Sequence, residues 1–194
     1  MTCHSSDSTE AIDNERRSET ESRAVDSDQN RIAAAMRELR STGWYWGSLT
    51  ATEAKEILQN ATEGTFLIRD SSQTNYLFTI SAKTSVGPTN LRIEYRDGKF
   101  KLDSVVFIKP KLKQFESVVN LVQHYVFLSS ASKTSESLLP NGTVQLLLIK
   151  PVYMSTPSLQ HLCRLSINKS TKKIEELPLP NRLKQYLTEY TYCV

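Results

Sequence analysis

Apolar residues in the first part of the chain recur at the spacing of helix faces. From Asn30 onward they fall at i, i+3, i+4 and i+7, which marks one face of a short helix. A second helix is predicted from about 51 to 59, since Thr50 and Glu53 have the spacing of a capping box. The apolar positions of these two helices are Ile32, Ala35, Met36, Leu39, Ala54, Ile57 and Leu58.

Three runs that follow are rich in strand-forming residues. They are TFLIRD (65–70), YLFTISAK (76–83) and NLRIEY (90–95), and a weaker hairpin continues through Asp97 and Gly98 into FKL. Connections this short predict an antiparallel meander. The next helix has an apolar face formed by Phe115, Val118, Val119, Val122, Tyr125 and Val126. This order predicts an α+β domain, with a central antiparallel sheet flanked by two helices.

The last third of the chain is divided by polar and proline-containing stretches. Residues Ser129 to Gly142 predict a long loop, and VQLLLI (144–149) predicts a returning strand. Beyond Pro151, three short helical segments are predicted, and helices this short are not stable alone. We therefore expect their apolar faces to be buried against the first domain, each other or a partner. These faces are Leu159, Leu162 and Cys163, and Leu183, Tyr186, Leu187 and Tyr190.

Composition narrows the classes of function. The 194 residues carry a formal net charge of +3, too small to indicate nucleic acid or an acidic membrane as the main partner. Residues 1–29 are polar and lack aromatic side chains, which predicts a disordered tail. The three cysteines lack the spacing of a zinc or redox pair, so we expect free thiols, no metal and no cofactor. With no apolar run long enough for a signal or membrane span, we expect a cytoplasmic protein.

Arg69 is the position that most suggests a binding site. In TFLIRD, alternation places Thr65, Leu67 and Arg69 on one face of the strand, and both faces carry large apolar groups. Such a strand is expected to be central, so Arg69 would lie in a partly buried place where its charge needs an anionic partner. From the strand alone, an internal carboxylate or an arginine that reaches solvent remains possible.

The residues around Arg69 favour a phosphate as that anion. Ser71 and Ser72 supply hydroxyls and turn amides beside the arginine, while Thr79 and Arg92 stand on neighbouring strands at positions that could face the same spot. Two guanidinium groups together with hydroxyls and amides match a dianionic oxyanion, because phosphate accepts the planar fork of arginine bidentately.

The motif GTFLIRDSS, with WYWGSLT before it and YLFTIS and LRIEY after it, resembles an SH2 domain over residues 44–152. The resemblance implies that Arg69 grips the phosphate of a phosphotyrosine, that Ser71, Ser72 and Thr79 add contacts, and that Arg92 flanks the ring. Lys55 is the only basic residue in the first SH2 helix, where many SH2 domains have an arginine, and Asn90 stands where they often have a histidine. Arg69 and Arg92 are therefore expected to carry more of the phosphate binding.

The C-terminal segments carry a second motif. Ser158, Leu159, Cys163 and Ile167 have the spacing S-L-x-x-x-C-x-x-x-I, which taken alone is typical of an ordinary core helix. Together with LPLP (177–180), it resembles a SOCS box of three helices over residues 155–194. The resemblance implies Elongin C binding through Leu159, Leu162, Cys163 and Ile167, and cullin binding through Leu177, Pro178, Leu179 and Pro180.

An SH2 domain joined to a SOCS box resembles the suppressors of cytokine signalling, and residues 30–43 resemble the extended SH2 helix of that family. The resemblance implies a non-catalytic substrate receptor of an Elongin B/C and cullin 5 ubiquitin ligase. Its targets would be phosphotyrosine-containing tails of cytokine or growth hormone receptors in JAK/STAT signalling, which would be ubiquitinated and degraded by the proteasome. Because residues 1–29 lack an aromatic residue, direct kinase inhibition is not expected.

Two other functions are weighed against this one. The first is a phosphotyrosine adaptor that blocks receptor sites without degrading them, with purely structural C-terminal helices. The second is a tyrosine phosphatase, which is disfavoured because neither Cys3, Cys163 nor Cys193 opens a phosphate-cradling loop that ends in arginine. Co-purification with Elongins B and C would separate the ligase function from the adaptor function.

Overall fold

The computed structural model describes residues 28–103, 113–132 and 147–194. The chain divides into two compact units, Met1–Arg37 and Glu38–Val194. The described part of the first unit is helical, and this helix, α1, covers residues 28–40. Residues 28 and 29, which the sequence assigned to the tail, belong to its first turn. An oxygen of the Asp28 carboxylate and a terminal nitrogen of Arg31 lie 3.7 Å apart there. They form an i,i+3 ion pair, which stabilises a helix. The rest of the predicted tail, 1–27, lies outside the described residues.

The second unit is built on a five-stranded sheet with the strand order β4-β3-β2-β1-β5. Strands β1 to β4 form the predicted antiparallel meander. The strands are β1 (Thr65–Asp70), β2 (Phe78–Thr84), β3 (Gly87–Arg96), β4 (Lys99–Leu102) and β5 (Lys150–Pro151).

The returning strand lies later in the chain than the sequence predicted. β5 comprises Lys150–Pro151 and runs parallel to β1. Residues 147–149 are not in a strand, and 144–146 lie outside the described residues. The backbone amides of Ile149 and Lys150 both donate to the carbonyl of Gly64, at 2.7 and 3.2 Å, just before β1 begins. This contact determines where pairing with β1 starts.

The register of the meander separates an apolar face from a polar face. On one face Ile68, Ile80 and Leu91 lie side by side across β1 to β3 and are buried. On the other face, Arg69 pairs with Thr79, and Thr79 pairs with Arg92. The pairing therefore brings two arginines and a hydroxyl onto neighbouring strands of the same face.

Two helices pack on the sheet. Helix α2 covers Ala51–Gln59, as predicted, begins with the capping box of Thr50 and Glu53, and contacts β1, β2 and β3. Helix α3 covers Val118–Ser132 and contacts β4. The fully buried Trp44 packs edge-on against Phe66, with ring centroids 6.1 Å apart.

The C-terminal module follows β5 and contains two α-helices. They are α4 (Leu159–Ser170) and α5 (Asn181–Thr188), and the middle predicted helix is a single 3-10 turn, Ile174–Glu176. The Trp46 indole N–H donates to the Val152 carbonyl at 2.9 Å, which fastens the start of the linker to the SH2-like part. Within the described ranges, no helix is both long and apolar enough to cross a membrane.

The conformation of Gly64 generates a stability prediction. Its φ is +82°, and a Cβ there would lie 2.6 Å from the Ile149 side chain. We expect Gly64→Ala to lower the free energy of unfolding by about 2 to 4 kcal/mol, from backbone strain and overpacking together. Chemical denaturation measures this change.

Gly47→Ala is the matched control, because Gly47 also has a positive φ, +58°, but no atom lies within 4 Å of its added Cβ. It should therefore lose only the backbone contribution, roughly 1 to 2 kcal/mol. Equal losses in the two variants would contradict the proposed clash with Ile149.

Candidate functional site

Arg69 lies at the bottom of a cavity of about 350 Å³ on the polar face of the sheet. The residue is only 3% exposed, so little of its side chain is in contact with bulk solvent. Its guanidinium donates to three neutral acceptors: the Ser81 hydroxyl at 3.1 Å, the Asp70 carbonyl at 3.1 Å and the Asn90 side-chain oxygen at 3.2 Å. Among the ion pairs of the described residues, none involves Arg69.

These contacts leave Arg69 with spare donors and an unbalanced charge. A guanidinium has five N–H donors, and the three hydrogen bonds use the Nε donor and one on each terminal nitrogen. One N–H on each terminal nitrogen therefore remains for a ligand. Burial lowers the pKa of the guanidinium, yet arginine stays protonated at neutral pH. The site is suited to a bidentate oxyanion.

The other residues predicted for this site line the same cavity. Ser71, Ser72, Thr79 and Arg92 all contribute to its wall together with Arg69. Ser71 begins a tight turn, in which its hydroxyl accepts from the Gln73 amide at 3.2 Å. The turn after β1 thus places hydroxyl groups above the arginine, where they can donate to an oxyanion.

Arg92 is held differently from Arg69. Its terminal nitrogens contact the Asp103 carboxylate at 2.7 Å and the Gln73 side-chain oxygen at 2.7 Å. Its guanidinium also stacks over the Tyr76 ring, 4.8 Å from the centroid. In the structure Arg92 therefore binds groups of the protein itself at the edge of the cavity.

Sequence reasoning missed Ser81 as part of this site and did not assign a contact to Asn90. Ser81 and Asn90 are directly paired across β2 and β3, and the Ser81 hydroxyl donates to the Asn90 side-chain oxygen at 2.7 Å. Both sit two residues from a predicted site residue, Thr79 or Arg92, and so share its face. That alternation was the signal that could have identified them. Together they orient the Arg69 fork.

The C-terminal module has a second candidate surface, on helix α4. Leu159 is 80% exposed, Leu162 is 40% exposed and Cys163 is exposed, while Ile167 is half-buried. The buried side of the helix instead carries Leu165 together with two polar residues, Arg164 and Asn168. The predicted Leu159 face is thus not covered by the described parts of this chain.

Polar contacts explain why the other side of α4 faces inward. The Asn168 amide donates to the carbonyls of Tyr190 at 2.6 Å and Tyr192 at 3.0 Å. The Arg164 guanidinium lies between the rings of Tyr186 and Tyr190, at 4.3 and 4.8 Å from their centroids. These hydrogen bonds and cation–π contacts join α4 to α5 and the segment after it.

The predicted cullin-binding residues form the connection into α5. Leu177 caps the 3-10 turn and Leu179 donates its amide to the Leu177 carbonyl at 2.8 Å. Pro178 and Pro180 are exposed, and Pro180 precedes the first residue of α5. The four residues therefore lie together in an extended, proline-stiffened segment.

Comparison with known proteins agrees with both parts of the chain. The SH2 domain profile matches residues 44–125, and the SOCS box profile matches residues 155–188. The human protein named suppressor of cytokine signaling 2 is 63% identical over 164 residues, which is 84% of this chain and 83% of that protein. The chain belongs to the suppressor of cytokine signalling family. The family prediction made from the sequence is therefore confirmed.

A second relative is also similar to this chain. The chicken cytokine-inducible SH2-containing protein is 48% identical over 176 residues, covering 83% of this chain and 71% of that protein. Among solved structures, the SH2 domain of human proto-oncogene protein VAV1 aligns with 25% identity and a TM-score of 0.40, over 62% of this chain and 83% of that chain. The family assignment rests on the sequence matches.

We expect His161 to make the C-terminal module less stable in acid. Its Nδ1 lies 2.9 Å from an Arg164 nitrogen and accepts from it, so burial and the neighbouring cation both lower the histidine pKa. The unfolded chain then binds a proton more readily, and stability that is complete above pH 6.5 is lost as the pH falls below it. We expect His161→Gln, which keeps an acceptor but does not titrate, to lose less thermal stability between pH 7.5 and 5.5.

The measurement is the difference in Tm between the two pH values for each variant. His124 also has a pKa lowered by burial, but it is present in both proteins and its contribution cancels in the comparison. An identical pH response of wild type and His161→Gln would contradict the role given to the contact with Arg164.

Proposed function

We propose that this protein captures phosphotyrosine with its SH2 domain and presents the bound protein to a ubiquitin ligase formed with Elongin B, Elongin C and cullin 5. In this role it has no catalytic activity of its own. The observation that carries the proposal is Arg69, a buried cation at the bottom of an open cavity with neutral acceptors around it and spare donors.

A bound phosphate would balance the positive charge of Arg69, for which the described part of the chain supplies no carboxylate. The buried charge of Arg69 is costly without an anion, and a dianionic phosphate accepts both of its remaining N–H groups. The hydroxyls of Ser71, Ser72 and Thr79 line the same cavity and add donors. Since Arg69 is almost completely buried, a short phosphoserine would not bring its phosphate as far as the guanidinium, whereas the ring of phosphotyrosine spans the wall of the cavity.

Recruitment of the ligase is assigned to the outward face of α4. Leu159, Leu162 and Cys163 form an apolar strip at helical spacing, which fits the helix-in-groove mode of recognition. Elongin C would bind this strip, with Ile167 at its edge, and cullin 5 would contact the adjacent segment Leu177–Pro180. The inward side of α4 is already occupied by contacts with the rest of the chain, so binding would not require the module to unfold.

Membership in the family suggests the pathway. The human relative is named a suppressor of cytokine signalling, and the chicken relative is named for induction by cytokines. We accordingly infer that the phosphotyrosine ligands are activated cytokine or growth hormone receptors in the cytoplasm. Their ubiquitination and proteasomal degradation would reduce JAK/STAT signalling.

Arg69→Lys tests the phosphate site. Lysine keeps the positive charge but offers no planar fork, so at least one charge-assisted bond of roughly 1.5 to 3 kcal/mol is lost. We expect phosphotyrosine peptides from receptor tails to bind at least tenfold more weakly, as measured by calorimetry. Arg96→Lys is the control, because Arg96 is on the same sheet but its side chain is 73% exposed.

The Arg96 variant should bind like wild type. If Arg69→Lys bound within about threefold of wild type while remaining folded, Arg69 would not be the phosphate anchor.

Leu159→Glu tests recruitment. Because Leu159 is 80% exposed, the change should leave Tm nearly unchanged while placing a charge in the centre of the apolar strip. We expect Elongins B and C to be lost from a pull-down with the variant, while phosphopeptide affinity stays within about twofold, since the two sites are separate. Val86→Glu is the control, an equally exposed apolar residue (77%) in the turn between β2 and β3.

Retention of the Elongins by Leu159→Glu would contradict the assignment of this face. The protein would then be better described as an adaptor that occupies receptor phosphotyrosines without leading to their degradation.

A further inference from the structure

The two arginines of the SH2 cavity differ in the charge of their partners. Arg69 retains one N–H on each terminal nitrogen, as described above. Arg92 has one terminal nitrogen 2.7 Å from an Asp103 oxygen and the other 2.7 Å from the Gln73 side-chain oxygen. One face of its planar guanidinium group is covered by the Tyr76 ring. These contacts use two of the five N–H groups of Arg92, but its positive charge, unlike that of Arg69, is already paired with a carboxylate.

Asp103 is the centre of this arrangement. The same carboxylate oxygen that contacts Arg92 accepts a hydrogen bond from the Tyr76 hydroxyl at 2.9 Å. The Asp103 side chain is 17% exposed, so solvent screens it only in part. Ten described residues line the cavity, and among these ten only Arg69, Arg92 and Asp103 are charged. The described lining thus carries a net charge of +1 for a ligand whose charge is about −2 at pH 7.

We propose that Asp103 acts as a built-in competitor of the phosphate, which holds Arg92 in the empty site and lowers affinity for phosphotyrosine. The inference rests on the proposed phosphotyrosine binding. When the phosphate enters, Arg92 must leave Asp103 or share its donors between two anions, and Asp103 also repels the ligand. The residue would keep binding moderate, so that a captured receptor is exchanged rather than retained.

The opposite role, in which Asp103 orients Arg92 for the ligand, makes the opposite prediction. Asp103→Asn distinguishes them, because the amide keeps the shape and an oxygen acceptor for Tyr76 but removes the charge. If Asp103 competes with the phosphate, Asp103→Asn should bind the ligand roughly three- to tenfold more tightly. This is the gain expected when one partly screened negative charge is removed from beside an anion. Orientation predicts weaker binding.

The experiment is a titration of the full chain with phenyl phosphate, which carries only the ring and the phosphate. Affinity is measured by NMR at low and at physiological ionic strength for wild type, Asp103→Asn and Asp103→Ser. We expect both variants to bind more tightly and to lose more affinity on addition of salt than wild type does, because the net charge of the site has risen. Unchanged or weaker binding by two folded variants would overturn the proposal.

Glu94→Gln is the matched control for net charge. Glu94 lies on the same strand and face as Arg92, and its side chain is 29% exposed, but it pairs with Lys101 at 3.1 Å and does not line the cavity. This variant has the same change of net charge and should bind phenyl phosphate like wild type. An equal gain in Glu94→Gln would mean that a general charge effect, and not Asp103, is responsible.

Two further variants separate the inference from the function on which it rests. In an Arg92→Gln background, Asp103→Asn should give a much smaller gain, and a full gain there would overturn competition for Arg92. In an Arg69→Lys background, both Asp103 forms should bind weakly. If Arg69→Lys had no effect at all, the proposed phosphate site would fail. If Arg69→Lys abolished binding but Asp103→Asn gave no gain, only the competitor role would fail.

Discussion

A buried positive charge with no carboxylate partner among the described residues is the constraint on which the SH2 part of this protein is built. Arg69 is 3% exposed, and the hydrogen bonds described for it all go to neutral oxygens. The neighbouring strands lower the cost of burying this charge by supplying hydrogen-bond acceptors. Ser81 comes from β2, Asn90 from β3 and the Asp70 carbonyl from the end of β1. The apolar face of the same sheet, on the other side, provides the burial that holds these strands together.

Much of the fold could be predicted from the periodicity of apolar residues along the chain. The make-up of the Arg69 site depends instead on the register between strands. The bounds of β1 and α2 were predicted correctly because alternation and a capping box are local signals. Neither the contact of Ser81 with Arg69 nor the place of Asp103 in the cavity was predicted, since both depend on which residues of separate strands lie near each other. The predicted position of β5 was wrong because hydrogen bonds to Gly64, and not the apolar run, determine where its pairing with β1 begins.

The C-terminal module shows that the pattern of apolar residues alone can predict the wrong orientation for a helix. Helix α4 has Leu159, Leu162 and Cys163 on one side and Leu165 with Arg164 and Asn168 on the other, so the apolar pattern would bury the first side. The structure buries Arg164 and Asn168 because the following segment contacts both of them. Asn168 donates to backbone carbonyls and the Arg164 guanidinium stacks on tyrosine rings, while the Arg164 Nε has no hydrogen-bond partner among the described residues. Those partners lie some twenty residues away in the chain. The spacing of apolar residues placed Leu159, Leu162 and Cys163 on one face of the helix but could not show that this face is exposed.

The outward leucines of α4 have a consequence for the protein before it meets a partner. Apolar strips of this kind favour self-association when nothing covers them, so the isolated chain should be limited in the concentration at which it stays dispersed. Under the proposed function, Elongin C would cover this strip. Co-production with Elongin C would then raise the amount of dispersed protein that can be obtained, and in a cell the usable amount would follow the supply of Elongin C.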